Sequence, residues 1–197
     1  MEIYVARSVS YMDAQGIRRL LETVMQTPHR DPEATFLNGP GTFVASRGTA
    51  IYGFVDGFIT SIFSNGQTIR RLEVDLLAVD PGFRRRSIGK RLINALLQST
   101  HPIIRHYDYA RALVATDNTP MHRAMAACGF ERQPDVCGLY VSSGGLAEGY
   151  QETPADAHII PVRTLTYSGL WLEGVISRDL VRVAWQRQHD DQQDLVG

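Results

Sequence analysis

The chain has 197 residues and 22.0 kDa, 44% of them hydrophobic and 21% charged, with a formal net charge of −1. That is the size and apolar content of one globular domain with a modest extension, and it argues against a disordered or fibrous chain. No apolar run approaches the ~18 residues of a membrane span, and the first residues lack the basic and apolar regions of a secretory leader, so a cytoplasmic protein is expected.

Cysteine and charge narrow the field further. Cys128 and Cys137 make neither a zinc spacing nor a disulfide framework, and no two of the six histidines stand at metal-ligand spacing; no metal is expected. Nineteen of the 20 basic residues are arginine, but the near-zero net charge makes nucleic acid an unlikely partner.

Taken in chain order, Ile3–Val9 reads as a strand. Asp13 then opens a helix with Ile17, Leu20, Leu21 and Val24 on one face. Gln26–Gly41, rich in proline and glycine, reads as a loop or a broken short helix. Thr42–Arg47 and Ile51–Thr60 read as strands joined at Gly48-Thr49, and Arg70–Val79 as a third, ended by Asp80-Pro81-Gly82. Ser87–Ser99 has helical periodicity, Ala110–Thr116 is strand-like, Pro120–Cys128 helical, and Val136–Ser142 a last strand. Ser142–His158 has linker composition. The order implies an α/β (α+β) fold: a mixed, mostly antiparallel central sheet flanked by helices. The domain organisation is 1–143 as the main domain, 144–158 as linker, and 159–197 as a strand-and-helix appendage. Its apolar residues, Trp171 among them, must be buried somewhere, which makes it an expected homodimer contact.

The informative stretch is Leu72–Leu92. A strand ends at a Pro-Gly turn, three arginines follow (Arg84, Arg85, Arg86), and Ser87 and Gly89 open a helix. Helix N-termini carry unpaired N–H groups and partial positive charge, so arginines beside one are misplaced unless an anion balances them. Small residues at alternate positions let backbone N–H groups close on phosphate oxygens. The plainer alternative is a solvated basic turn. P-loop and dinucleotide-binding fingerprints are both absent.

Leu77–Leu92, with its Arg84-x-x-Ser87-x-Gly89 core, resembles the acetyl-CoA-binding motif of the GCN5-related N-acetyltransferases, usually (Gln/Arg)-x-x-Gly-x-(Gly/Ala). A second block, Val114 through Asn118 to Gly129-Phe130, is similar to that family's strand–Asn–helix–Gly-Phe segment. The resemblance covers Met1–Ser143. It implies acetyl-CoA as cosubstrate, with Leu77, Ala78 and Val79 presenting backbone groups to the pantetheine arm. It also implies that Arg84, Arg85, Arg86, Ser87, Ile88, Gly89 and Lys90 surround the phosphates, and that Asn118 adjoins them. Leu77 or Val79 N–H would stabilise the oxyanion.

By the same resemblance Glu73 stands in the place of the base that deprotonates an acceptor amine. Strand alternation puts Asp75 on its face as a reserve. The alternative has both as strand carboxylates bonded to Arg70 or Arg71. Two departures stand out: Ser87 replaces a glycine, and Met125 stands where the family often has the tyrosine that protonates the leaving thiolate. Tyr140, His122 and Cys128 are substitutes by residue type. The resulting expectation is acetyl transfer to a primary amine of a small molecule, peptide or protein by direct attack. Its rival is an acyl-CoA-binding regulatory module without catalysis.

Overall fold

The computed structural model describes residues 5–25, 40–64, 67–133, 140–143 and 151–161. Strand β1 (Val5–Ser8) leads through a 3-10 turn at Tyr11–Asp13 into α1 (Ala14–Met25). Asp13 belongs to the turn ahead of the helix. Its carboxylate accepts the Ser10 N–H at 2.8 Å and is gripped by the Arg7 guanidinium, 2.6 Å to each oxygen. Four strands then follow: β2 (Phe43–Arg47), β3 (Ala50–Ser64), β4 (Gln67–Val79) and, after α2 (Ile88–Leu97), β5 (Tyr109–Ala115). After α3 (Thr119–Ala127) come β6 (Glu131–Gln133), β7 (Tyr140–Ser143) and β8 (Gln151–Pro161).

The sheet order is β1-β2-β3-β4-β5-β8-β6, with β7 also on β8. All neighbours are antiparallel except β4 and β5, which run parallel because α2 carries the chain across between them. Gly48, at φ +59°, turns β2 into β3 as the first of two loop residues, as expected. The sheet separates two apolar layers. Leu72, Val74, Ile88, Leu92, Leu96, Val114 and Met125 pack on the side of α2 and α3; Ile17, Leu21, Val44, Phe54 and Ala78 pack under α1. Among the described residues no helix is long and apolar enough to cross a membrane.

The linker reading fails for residues 151–158. They belong to β8, which pairs with β5 along its whole length, from Ala115↔Ala155 to Tyr109↔Pro161. Glycine, serine and proline nearby suggested a linker, and the buried face of this strand hides the contrary signal. Within 151–158 the buried residues are the small Ala155 and Ala157 on one face and His158, only 2% exposed, on the other, and the large buried Ile159 comes only after them. The sheet therefore extends past position 143. Of the expected strand at Val136–Ser142, residues 140–142 lie in β7 (Tyr140–Ser143), while 136–139 fall outside the described residues; β6 precedes them. The loop at 26–39, the rest of the linker at 144–150 and the appendage at 162–197 lie outside the described residues.

Candidate active site

Two features of β4 set the site. The first is a bulge: Asp56 of β3 faces Leu76 and Gly57 faces Val74, so Asp75 is an extra residue with no partner position. The bulge reverses the strand's alternation. Before it Leu72 and Val74 belong to the α2 layer; after it Leu77 and Val79 pack there, while Leu76 and Ala78 turn toward α1. The second is a fork. The parallel ladder to β5 spans four residue pairs, Arg71↔Tyr109 to Val74↔Ala112, and stops. From Asp75 onward β4 keeps its ladder to β3 but, among the described residues, none to β5. Among the described residues, one edge of Leu77–Val79 is thus open to an extended ligand, which could pair with it as an added strand would.

At the end of β4, Asp80 donates its N–H to Tyr52 O (3.0 Å) and its carboxylate accepts the Gly82 N–H (2.8 Å), shaping the Pro-Gly turn. Arg84 folds back so that Nε donates to Val79 O at 3.3 Å, and the Arg86 guanidinium lies 5.1 Å from the centre of the Phe83 ring. Arg85 and Ser87 both take positive φ, +62° and +60°, the left-handed region that non-glycine residues rarely adopt. That conformation explains why the family's motif has glycine where Ser87 stands. The first backbone bond closing α2 is Arg91 N–H to Ser87 O. The N–H groups of Ile88, Gly89 and Lys90 therefore have no partner within the helix. Ser87 provides no side-chain cap and the first turn has no acidic residue. With Arg84, Arg85, Arg86 and Lys90 exposed around it, this helix end is built for an anion. Gly89 has room: a Cβ there would lie 3.5 Å from Leu77 and 3.7 Å from Val79.

The other expected residues fall into place unevenly. Asn118 caps α3, its side-chain oxygen accepting the Met121 N–H at 3.2 Å. Met125 is wholly buried in the apolar layer and offers no proton. Cys128, at the end of α3, has its thiol pushed up by burial against an opposing Lys90 charge. His122 faces the other way, toward β8: Nδ1 lies 2.7 Å from His158 Nε2, and Asp156, held at 2.6 Å by Arg132, is 3.8 Å from its other nitrogen. The side chain of Tyr140 lies outside the described residues.

Glu73 lies inside the paired part of β4, 7% exposed. Arg111 of β5, opposite it in register, donates Nη2 to Oε1 (2.8 Å) and Nε to Oε2 (3.1 Å), and Arg71 Nε pairs with Oε1 as well. Both guanidiniums are buried too. Asp75, in contrast, is exposed at the fork. Beside it stands a carboxylate that sequence reasoning missed. Asp56, half-buried, accepts the hydroxyl proton of buried Thr42 at 2.6 Å. Burial pushes Asp56 up to about 6; the Thr42 hydroxyl opposes this, the Asp75 charge adds to it, and the Gly57 N–H opposes it. A signal was present: a lone acid in an apolar strand, followed by a glycine that marks a close contact. A Cβ on Gly41 would sit 1.8 Å from Gly57 O, so the backbone before Thr42 crosses β3 as closely as two chains can.

Comparison with known proteins gives a consistent answer. Residues 9–130 match the Acetyltransferase (GNAT) family. Among curated protein sequences none matches significantly. Of solved structures, NAA60 from Arabidopsis thaliana in complex with a bisubstrate analogue shares the fold with a TM-score of 0.62 and 16% identity, over 82% of this chain and 100% of that one. A GNAT-family acetyltransferase from Bacillus cereus ATCC 10987 gives 0.57 and 17%, over 81% and 98%. The diaminobutyrate acetyltransferase EctA from Paenibacillus lautus, solved with L-2,4-diaminobutyric acid and coenzyme A, gives 0.53 and 16%, over 83% and 98%. The chain belongs to the acetyltransferase (GNAT) family and is an acetyl-CoA-dependent acyltransferase.

Proposed function

We propose that the protein transfers the acetyl group of acetyl-CoA to a primary amine by direct attack, with no acetyl-enzyme. The observation that carries this is the pairing of an uncapped, arginine-flanked helix end with an open strand edge a few residues upstream. An anion at α2 and an extended amide chain along β4 are the two halves of one coenzyme A molecule. The N–H groups of Ile88, Gly89 and Lys90 receive phosphate oxygens, with Arg84, Arg85, Arg86 and Ser87 around them. The edge of Leu77, Ala78 and Val79 takes the pantetheine amides, and Asn118 lies past the end of β5 on the other arm of the fork. A Leu77 or Val79 N–H then faces the thioester oxygen as it becomes an oxyanion. The amine nitrogen adds to the carbonyl carbon, the C–S bond breaks, and its electron pair leaves on sulfur.

Solved structures of this fold include enzymes whose names specify an alanine of a ribosomal protein, diaminobutyrate and polyamines as acceptors, which fits an amine acceptor without choosing one. The acceptor approaches from the α1 face, where Asp56, Glu73 and Asp75 stand. A homodimer built through residues 162–197 belongs to the same reading, on composition alone; sedimentation would measure it. The test is thiol release from acetyl-CoA with a panel of small amines and N-terminal peptides, with mass spectrometry of the products. An acetylated amine establishes the reaction. The second reading, an acyl-CoA-binding regulatory module, draws on the buried Met125, which leaves the thiolate without the usual proton donor. Coenzyme A is nonetheless a fair leaving group near neutral pH, its thiol resembling cysteine at ~8.5. Binding without any acetylated product would favour that module.

A further inference from the structure

We infer that Asp56, not Glu73, is the general base, taking the proton from the acceptor ammonium at the mouth of the β4–β5 fork, while Glu73 serves as the fixed anion between two buried arginines. The inference rests on the acetyl-transfer reading and assigns a residue to one of its steps.

Both halves of the assignment come from geometry. A base needs a lone pair that it can offer and a proton affinity near the working pH. The oxygens of Glu73 are engaged by Arg111, Nη2 on Oε1 and Nε on Oε2, and Oε1 also meets Arg71. Both of its oxygens are thus held by buried guanidinium groups and are not turned toward an incoming amine. Asp56 is in the opposite condition. Its hydroxyl donor, Thr42, is neutral, and so is the nearby Gly57 N–H, which donates to Gly41 O. Partial burial and the neighbouring Asp75 charge both favour its protonated form, bringing it near 6.

Position supports the same choice. Asp56 stands opposite Leu76, one residue before the strand edge that faces the thioester. Adjacent strands lie ~4.8 Å apart and rise ~3.3 Å per residue, so base and oxyanion contact fall within one acceptor group of each other. Glu73 lies four positions before Leu77, inside the closed ladder.

Among the described residues the surroundings of Asp56 are few. On β4 the charged groups of this face are Asp75 and, farther along, Glu73 with Arg71; Arg111 projects from β5. From the approach to β2 comes Thr42, which does not titrate here. The residues of α1 packed on the sheet, Ile17, Leu20, Leu21 and Val24, are apolar. The step balances as follows. One N–H bond of the ammonium breaks and its proton passes to an Asp56 oxygen, leaving a lone pair on nitrogen. That lone pair forms the C–N bond, the C–S pair leaves on sulfur, and the nitrogen's remaining excess proton goes to the thiolate. Asp56 returns its proton to solvent.

The experiment is the pH–rate profile of acetyl transfer for wild type and for Asp56→Asn, Asp75→Asn, Thr42→Val and Glu73→Gln, with acetyl-CoA affinity measured separately. Asp56→Asn should cut kcat at least 100-fold with cofactor affinity within about twofold, since positioned bases contribute ~10²–10⁴. The acidic limb of wild type should shift in opposite directions in two variants. Asp75→Asn removes a like charge and moves it to lower pH; Thr42→Val removes a donor to the carboxylate and moves it to higher pH. A purely structural role for Asp56 would produce no such opposed pair. Asp56→Asn within threefold of wild type, or a limb unmoved by both neighbours, overturns the assignment and leaves acetyl transfer standing. Loss of the acidic limb in Glu73→Gln, with Asp56→Asn unaffected, returns the role to Glu73. A wild type that binds acetyl-CoA and acetylates no amine in the panel removes the assignment together with the transfer reading.

Discussion

The two halves of β4, before and after Asp75, are built for opposite purposes. Up to Val74 the strand is paired on both edges and its charge is neutralised: Glu73 sits between Arg71 and Arg111 at less than a tenth exposure. Beyond the bulge one edge is open, the carboxylates Asp56 and Asp75 stand together, and the chain runs into a turn crowded with arginines. Thirteen residues of one strand thus hold a closed ion cluster and an open binding edge, and a single inserted residue separates them. On the assignment proposed above, an acid at a family's catalytic position takes its role from its partners.

The largest expected effect breaks the closed half. Glu73→Ala removes the buried carboxylate that Arg71 and Arg111 both hold, which should cost about 3–5 kcal/mol. For a chain of this size that is a fall of roughly 6–20 °C in melting temperature, read by thermal denaturation. Glu73→Ala melting within 2 °C of wild type would mean the cluster is solvated.

On the open half, Gly89→Glu should leave folding intact, since a side chain there meets only ordinary contacts. The new carboxylate would repel phosphate, and acetyl-CoA affinity should fall at least tenfold by calorimetric titration. Unchanged affinity would detach the cofactor from α2.

The third expectation contrasts the two faces of the sheet through pH. Burial, then the His122 and Arg132 charges, lower His158 to about 4, with Asp156 opposing. The folded protein therefore resists a proton that the unfolded chain accepts near 6.5, and this contribution to stability is lost as pH falls from about 6.5 to 4. Asp56 acts with the opposite sign: its folded carboxyl, near 6, takes a proton before the unfolded one at 3.8, so it adds stability as pH falls through that window. The two partly cancel in wild type. Asp56→Asn should steepen the loss of melting temperature between pH 7.5 and 5, and His158→Gln should flatten it. Parallel curves for the two variants would contradict these assignments.

The smallest effect is at Ser87. Glycine relieves the left-handed conformation at φ +60°, and Ser87→Gly should gain about 1 kcal/mol, or ~2–4 °C, with acetyl-CoA binding retained. Destabilisation would indicate that the hydroxyl makes a contact worth more than the strain.

Most of the element order was legible because it is written in residues with one strong preference. Runs such as Val74–Val79 form strands, and Pro81-Gly82 stops one. The phosphate end was legible too, since its arginines and small residues are adjacent in sequence. What escaped depends on partners distant along the chain. Arg111 is an isolated charge in an alanine-rich strand, and only register places it on Glu73, 38 positions earlier. Asp56 gains its character from burial and from the Asp75 charge that stands beside it, neither of which has a sequence motif. Residues 151–158 of β8 passed for linker because their buried members are two alanines and one histidine, with the large Ile159 coming only after them.

The central claim is that the α2 N-terminus and the β4 edge together hold acetyl-CoA, and the most direct measurement is a thermal-shift titration of the purified protein with it. At ~100 Kd the stabilisation should be about 2.7 kcal/mol, a rise of roughly 5–10 °C. A melting temperature unmoved at millimolar acetyl-CoA would contradict the claim and leave the arginine turn as a solvated turn.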